Sequence, residues 1–108
     1  MGTKSKNVTI VDDRSFDERT LAAELPVLIK FSSQNCPPCR ALSPIVDRIA
    51  DEGVGKYRVL SVDIDDSPRL ATRYGIRAVP TLLAFKNGAP KGQLVGLSSR
   101  EAVLKLLA

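Results

Sequence analysis

The spacing of apolar residues changes several times along the chain, and each change marks an element. Val8 to Val11 alternates and predicts a short strand. Ser15 to Glu18 fits a capping box and predicts a helix running to about Glu24. Val27-Leu28-Ile29-Lys30-Phe31 is a nearly continuous apolar run, the pattern of a strand buried on both faces. A helical pattern follows from Arg40 to about Glu52. Pro44 lies inside it, removes one backbone donor and predicts a kink. Tyr57 to Ile64 predicts a second central strand. Ser67 then fits an N-cap, with Pro68 at the first helical position and Gly75 just past the last turn. Val79 to Phe85 predicts another strand, and Asn87-Gly88 a hairpin turn into a strand at Gln93 to Val95. Pro90 assigns that last strand to a sheet edge. Ser98 to Glu101 fits a second capping box, opening a final helix. The order β-α-β-α-β-α-β-β-α, alternating first and ending on a hairpin, predicts an α/β domain with a mixed sheet and helices on both faces.

The length of 108 residues suits one compact domain, residues 1–108. The net charge of +4 is spread over basic residues interleaved with acids, and aromatics are few. No basic stripe with stacking platforms is present, so nucleic acid is not an expected partner. Met1 to Asn7 is polar with no apolar stretch behind it, and no run approaches membrane-spanning length. A cytoplasmic location follows as the expectation.

Only two cysteines occur, and they stand three residues apart in Cys36-Pro37-Pro38-Cys39, between a strand pattern and a helix pattern. One helical turn brings such positions to roughly 5–6 Å, within the span of a disulfide. Reversible disulfide chemistry is the favoured reading. Three others stand beside it. A structural zinc site wants four ligands, and the chain has no His and no second Cys pair. A structural disulfide closing so small a loop removes little unfolded-state entropy. Two inert buried thiols are the third.

Several further motifs come in register with this one: Arg40 with Pro44 four residues on, Val62-Asp63-Ile64-Asp65, Tyr74-Gly75-Ile76-Arg77-Ala78-Val79-Pro80-Thr81-Leu82, Phe85-Lys86-Asn87-Gly88 and Val95-Gly96. Together they are far more specific than a lone CxxC, and the chain resembles the thioredoxin family over nearly its whole length. The resemblance implies the thioredoxin fold, a central mixed sheet of about five strands flanked by about four helices. It implies a thiol–disulfide oxidoreductase that reduces protein disulfides as a monomer. A flavoprotein thioredoxin reductase would supply electrons, and the redox-active disulfide would serve in place of any bound cofactor or metal. Cys36 would be the exposed nucleophile and Cys39 the resolving thiol. Pro80 would be the family's cis-proline, with Ile64, Ala78, Val79 and Gly96 beside it on the surface that docks substrate. The late segment Val95-Gly96-Leu97-Ser98 lacks the Gly-Gly-Asp glutathione site of glutaredoxins. A disulfide oxidase or isomerase and a non-enzymatic partner-binding module are the alternatives.

The chain departs from the thioredoxin pattern at its active site. Asn35 stands where the family carries tryptophan, Pro37 where it usually has glycine, Lys30 where it has a buried aspartate, and Ser61 where that aspartate has a lysine partner. A thiolate is the reactive species, and the start of a helix favours it at Cys36. Pro37 and Pro38 have no N–H to offer and stiffen the loop, leaving the N–H groups of Cys39 and Arg40 as the nearest donors. Lys30 has two readings: a side chain that snorkels to water, or a cation that favours the Cys39 thiolate. Under the second, Lys30 stays protonated below the active-site helix, and Asp63, which shares strand parity with Ser61, faces it. A cis bond before Pro80 would expose the Val79 backbone to an extended substrate segment.

Overall fold

A strand buried on both faces needs cover from both sides, and β2 (Val27–Ser32) has it: all six residues are buried. The computed structural model describes residues 4–20 and 23–108. β1 (Val8–Ile10) lies parallel to β3 (Arg58–Asp63), and β3 parallel to β2. β4 (Thr81–Lys86) is antiparallel to β2, and β5 (Ala89–Val95) antiparallel to β4, giving the order β1-β3-β2-β4-β5.

Period-two alternation sorts the side chains into two cores. Val27, Ile29 and Phe31 of β2 join Leu60, Val62, Leu83 and Phe85 under Phe16 of α1 (Phe16–Thr20) and Leu70 of α3 (Pro68–Arg73). Leu28, Val59 and Leu82 face the opposite way. There they meet Leu42, Val46 and Ile49 of α2 (Pro37–Glu52) and Val103 and Leu107 of α4 (Arg100–Leu107). Lys30, between Leu28 and Ser32, therefore points to the α2 side. Among the described residues the architecture is five strands and four helices, the mixed α/β sheet that the patterning implies. No described helix is long and apolar enough to cross a membrane.

Element ends differ from expectation where a cap or an edge decides them. The described part of α1 is Phe16–Thr20 and Glu24 lies in a bend; residues 21 and 22, which the expected helix also covered, lie outside the described residues. Ser15 precedes α1, but its hydroxyl bonds Asp12 instead of capping. The Asp12 carboxylate accepts from the N–H groups of Arg14 and Ser15, both at 3.0 Å, and these bonds hold its proton affinity down. α2 continues without interruption through Pro44. Ser67 occupies the N-cap of α3, yet its hydroxyl makes no capping bond; Asp13 supplies the carboxylate instead. In α4 the N-cap is Ser99, not Ser98: Ser99 Oγ accepts from Ala102 N–H at 3.2 Å, while Ser98 Oγ donates to the Gly96 carbonyl. β5 starts at Ala89, earlier than Gln93, because an edge strand tolerates Pro90, which sits beside the register shift at Ala84/Phe85.

Candidate active site

β2 carries the chain to Ser32, and a short loop then turns it into α2. Asn35 makes the turn at φ 57°, in the left-handed region where Asn is among the few side chains tolerated. Cys36 follows as N-cap in an extended conformation, with Pro37 and Pro38 opening the helix, where their missing N–H groups cost nothing. One turn on, Cys39 comes back beneath Cys36. The Cα atoms are 5.2 Å apart and the two sulfurs are bonded as a disulfide.

Cys36 Sγ accepts the Cys39 N–H at 3.2 Å. The Arg40 N–H, the other donor expected at the sulfur, goes to the Cys36 carbonyl instead, because α-helical geometry places it over residue i−4. The sulfur thus has one backbone donor and the positive end of a sixteen-residue helix. Cys36 is 7% exposed and Cys39 1%. The expected exposed nucleophile is therefore nearly covered, though it is the more open of the pair. Asn35, Pro37, Pro38 and Arg40 form an exposed collar around it.

Across from the dithiol, Val79 and Pro80 are joined by a cis peptide bond. Cys36 Sγ lies 3.8 Å from the Val79 carbonyl oxygen. Gly96, at φ 88°, donates its N–H to the Pro80 carbonyl at 2.8 Å, so the end of β5 is fastened to the same spot. Val79 and Gly96 are half-buried, Ala78 is exposed and Pro80 is buried. Ile64 is half-buried at the end of β3, its N–H bonded to the Ser32 carbonyl at 2.9 Å, and packs at the rim of the Phe31 core. Val95 and Leu97, exposed apolar residues on either side of Gly96, were not among the residues expected here. Their apolarity next to a glycine is the signal that could have found them.

Lys30 is fully buried, so it does not snorkel. Its ammonium nitrogen donates to Ser43 Oγ at 2.8 Å, and Ser43 Oγ donates to the Cys39 carbonyl at 3.1 Å. Lys30 therefore sits below the active-site helix, joined to it through Ser43. Burial lowers its proton affinity, and the carboxylate of Asp47 on α2 partly restores it. The expected partner, Asp63, is engaged elsewhere: its Oδ1 accepts the Asp65 N–H at 2.9 Å and holds the loop after β3. Asp63 does lie on the Lys30 side of the sheet, but its register partner is Ser32, one pleat further along, whereas Lys30 is opposite Ser61. Sequence reasoning missed Ser43. Its position four residues after Cys39, on the buried stripe of α2, is the only local signal for it.

A disulfide between two cysteines one turn apart at the start of a helix is the arrangement thiol–disulfide oxidoreductases use. Residues 7–108 match the Thioredoxin family. The chain is 45% identical to thioredoxin M5, chloroplastic, of Oryza sativa over 89 residues, covering 82% of this chain and 52% of that one. It is 41% identical to thioredoxin of Rickettsia bellii over 95 residues, 88% of this chain and 90% of the relative. Thioredoxin of Rickettsia felis is 43% identical over 94 residues, at 87% and 90% coverage. The chain thus spans about half the length of the rice relative and nearly all of the rickettsial ones. This chain belongs to the thioredoxin family.

Proposed function

We propose that this protein reduces protein disulfides in the cytoplasm, working as a single-domain monomer recharged by a flavoprotein thioredoxin reductase. The Cys36 thiolate attacks one sulfur of a substrate disulfide. A mixed disulfide forms at Cys36, and the other substrate sulfur leaves as a thiolate. Cys39 then loses its proton and attacks Cys36 Sγ. The Cys36–Cys39 bond forms and the second substrate thiolate departs. Two electrons have passed from the dithiol to the substrate, and the reductase returns them. Extended substrate segments lie along Val79, flanked by Ile64, Ala78, Pro80 and Gly96, with Val95 and Leu97 adding apolar area.

The observation that carries this reading is the nearly covered Cys36 sulfur, 3.8 Å from the Val79 carbonyl and capped by the Cys39 N–H. Reduction of insulin disulfides by dithiothreitol tests it. Catalytic amounts of the protein accelerate the reaction, and Cys36→Ser abolishes the acceleration. A wild-type rate no faster than dithiothreitol alone overturns the proposal.

A further inference from the structure

We propose that a cavity at the pole opposite the dithiol binds a small organic phosphate. Lys6, Arg19 and Arg58 hold the phosphate, and the apolar or aromatic part of the ligand lies against Tyr57 and its neighbours. The cavity measures about 470 Å³, within the range that accommodates small organic ligands. Tyr57 and Arg58 stand at the start of β3, Lys6 and Asn7 just before β1, and Leu25 shortly before β2. The cavity therefore opens at the N-terminal ends of the three parallel strands. Cys36 follows the C-terminal end of β2, and the six residues of that strand put about 20 Å between the two sites. The proposal is thus independent of the thiol chemistry.

Charge selects the anionic part of the ligand. Among the described residues the cavity is lined by three cations and no carboxylate. Arg48, Arg73 and Arg100 pair with acidic side chains, whereas Lys6, Arg19 and Arg58 form no ion pair with a described residue. Two acids lie close by. Asp51 accepts from Ser5 Oγ and Asn7 Nδ2, and the charge of Lys6 acts on it. Glu18 lines an adjoining cavity with Arg19 and Arg58. Neither acid lines the larger cavity, so its cations have no counter-charge inside it. A cleft lined by one sign of charge concentrates its field inward. The planar guanidinium fork matches two phosphate oxygens at once and stays charged at any physiological pH. A phosphate monoester, with nearly two negative charges at neutral pH, answers that charge.

The remaining walls select an apolar part beside the phosphate. Val59 and Leu60 are buried and Leu25 is half-buried. Tyr57 is fixed in place: its ring fills the space that a side chain at Gly53 would take, and its N–H bonds the Gly53 carbonyl at 3.1 Å. Val54, an apolar residue left 67% exposed, lines the same cavity. An inorganic ion would engage the cations alone. A ligand with an aromatic or apolar group next to its phosphate would also cover Val54 and Leu25 and gain from their burial. Apolar and aromatic walls with a few convergent polar groups are the usual make-up of a small-molecule site.

Amide NMR of the full chain, titrated with phenyl phosphate and with adenosine monophosphate, tests the proposal. At least one probe gives saturable shifts at Asn7, Thr9, Gly55 and Arg58, with a Kd of about 1 mM or tighter. Inorganic phosphate, phenol and adenosine, which supply the two halves of the probes separately, each bind about tenfold more weakly or worse. Arg19→Gln combined with Arg58→Gln weakens the probe about tenfold or more, because the charge-assisted bonds are lost. Both residues are exposed and stand away from the dithiol, so the double variant keeps the wild-type spectrum elsewhere and reduces insulin at the wild-type rate. Failure of both probes to saturate by about 10 mM overturns the proposal. So does inorganic phosphate binding as tightly as the better probe, or unchanged affinity in the double variant. Shifts centred on Cys36, Arg40 or Arg77 overturn it as well. Vesicles of phosphatidylglycerol that shift the cavity amides while both soluble probes leave them in place overturn it in favour of a membrane surface. Where the double variant fails to fold, the wild-type comparison of probes with inorganic phosphate decides the matter.

Discussion

The Asp13 carboxylate caps α3 by accepting the Leu70 N–H at 3.0 Å, from 57 residues away in the chain. A second bond, from Arg69 N–H, is longer at 3.4 Å. Ser67, the residue that local sequence assigns to the task, holds the N-cap position with a buried hydroxyl that bonds nothing. Asp13→Ala is therefore expected to lower stability by about 1 kcal/mol, the usual size of a lost cap. Ser67→Ala is expected to be neutral or stabilising, since it removes an unpaired buried hydroxyl. Urea unfolding of the two variants checks the pair; a larger loss in Ser67→Ala than in Asp13→Ala contradicts it.

Lys30 gives the protein a pH dependence of definite sign. Its proton affinity is lowered on folding, chiefly by burial. Between its folded pKa and the ordinary value of 10.5, the unfolded chain binds more protons at this residue than the folded one. Its contribution to stability is thus most favourable above 10.5 and is lost as pH falls through that window. Lys30→Met is expected to be more stable than wild type at neutral pH by about 1–4 kcal/mol, the range for replacing buried charge with a well-packed hydrophobe. The gap should close as pH rises. A gap that stays constant from neutral to alkaline pH would show that Lys30 does not titrate on unfolding.

Ser43 and Lys30 should prove energetically coupled. Removing the hydroxyl leaves the buried Lys30 without the 2.8 Å acceptor, at a cost of about 1–3 kcal/mol for Ser43→Ala. In a Lys30→Met background the same change should cost much less. A double-mutant cycle by urea unfolding reads the coupling, and additive losses would mean that the bond contributes nothing.

Asn35 combines a backbone role with a surface role. At φ 57° it occupies a region that costs most side chains about 1–2 kcal/mol. Asn35→Trp is expected to destabilise by about 1 kcal/mol while enlarging the apolar surface beside Cys36 and widening the range of substrates. Asn35→Gly should keep the turn without that strain. Unchanged KM values across several disulfide substrates in Asn35→Trp would remove Asn35 as a determinant of docking.

What the sequence determined by itself is what nearest neighbours decide. Alternation along β2, β3 and β4 divided their side chains between two cores, and Pro68, Gly75 and Asn87-Gly88 punctuated elements because their backbone preferences are local. The Cys36–Cys39 pair was legible for the same reason: its geometry needs only one helical turn. Parity also put Lys30 on the side of the sheet that α2 covers. Parity could not choose its partner, because Ser43 and Asp47 of α2 and Asp63 of β3 all lie on that side. Only the tertiary structure settled the choice in favour of Ser43, just as it set Asp13 on α3 and the Val79 carbonyl beside Cys36. These contacts join residues 13, 57 and 43 positions apart. A buried polar group bonds whichever partner the packed strands and helices bring within reach, and that distance is set by the order of strands in the sheet, not by spacing along the chain.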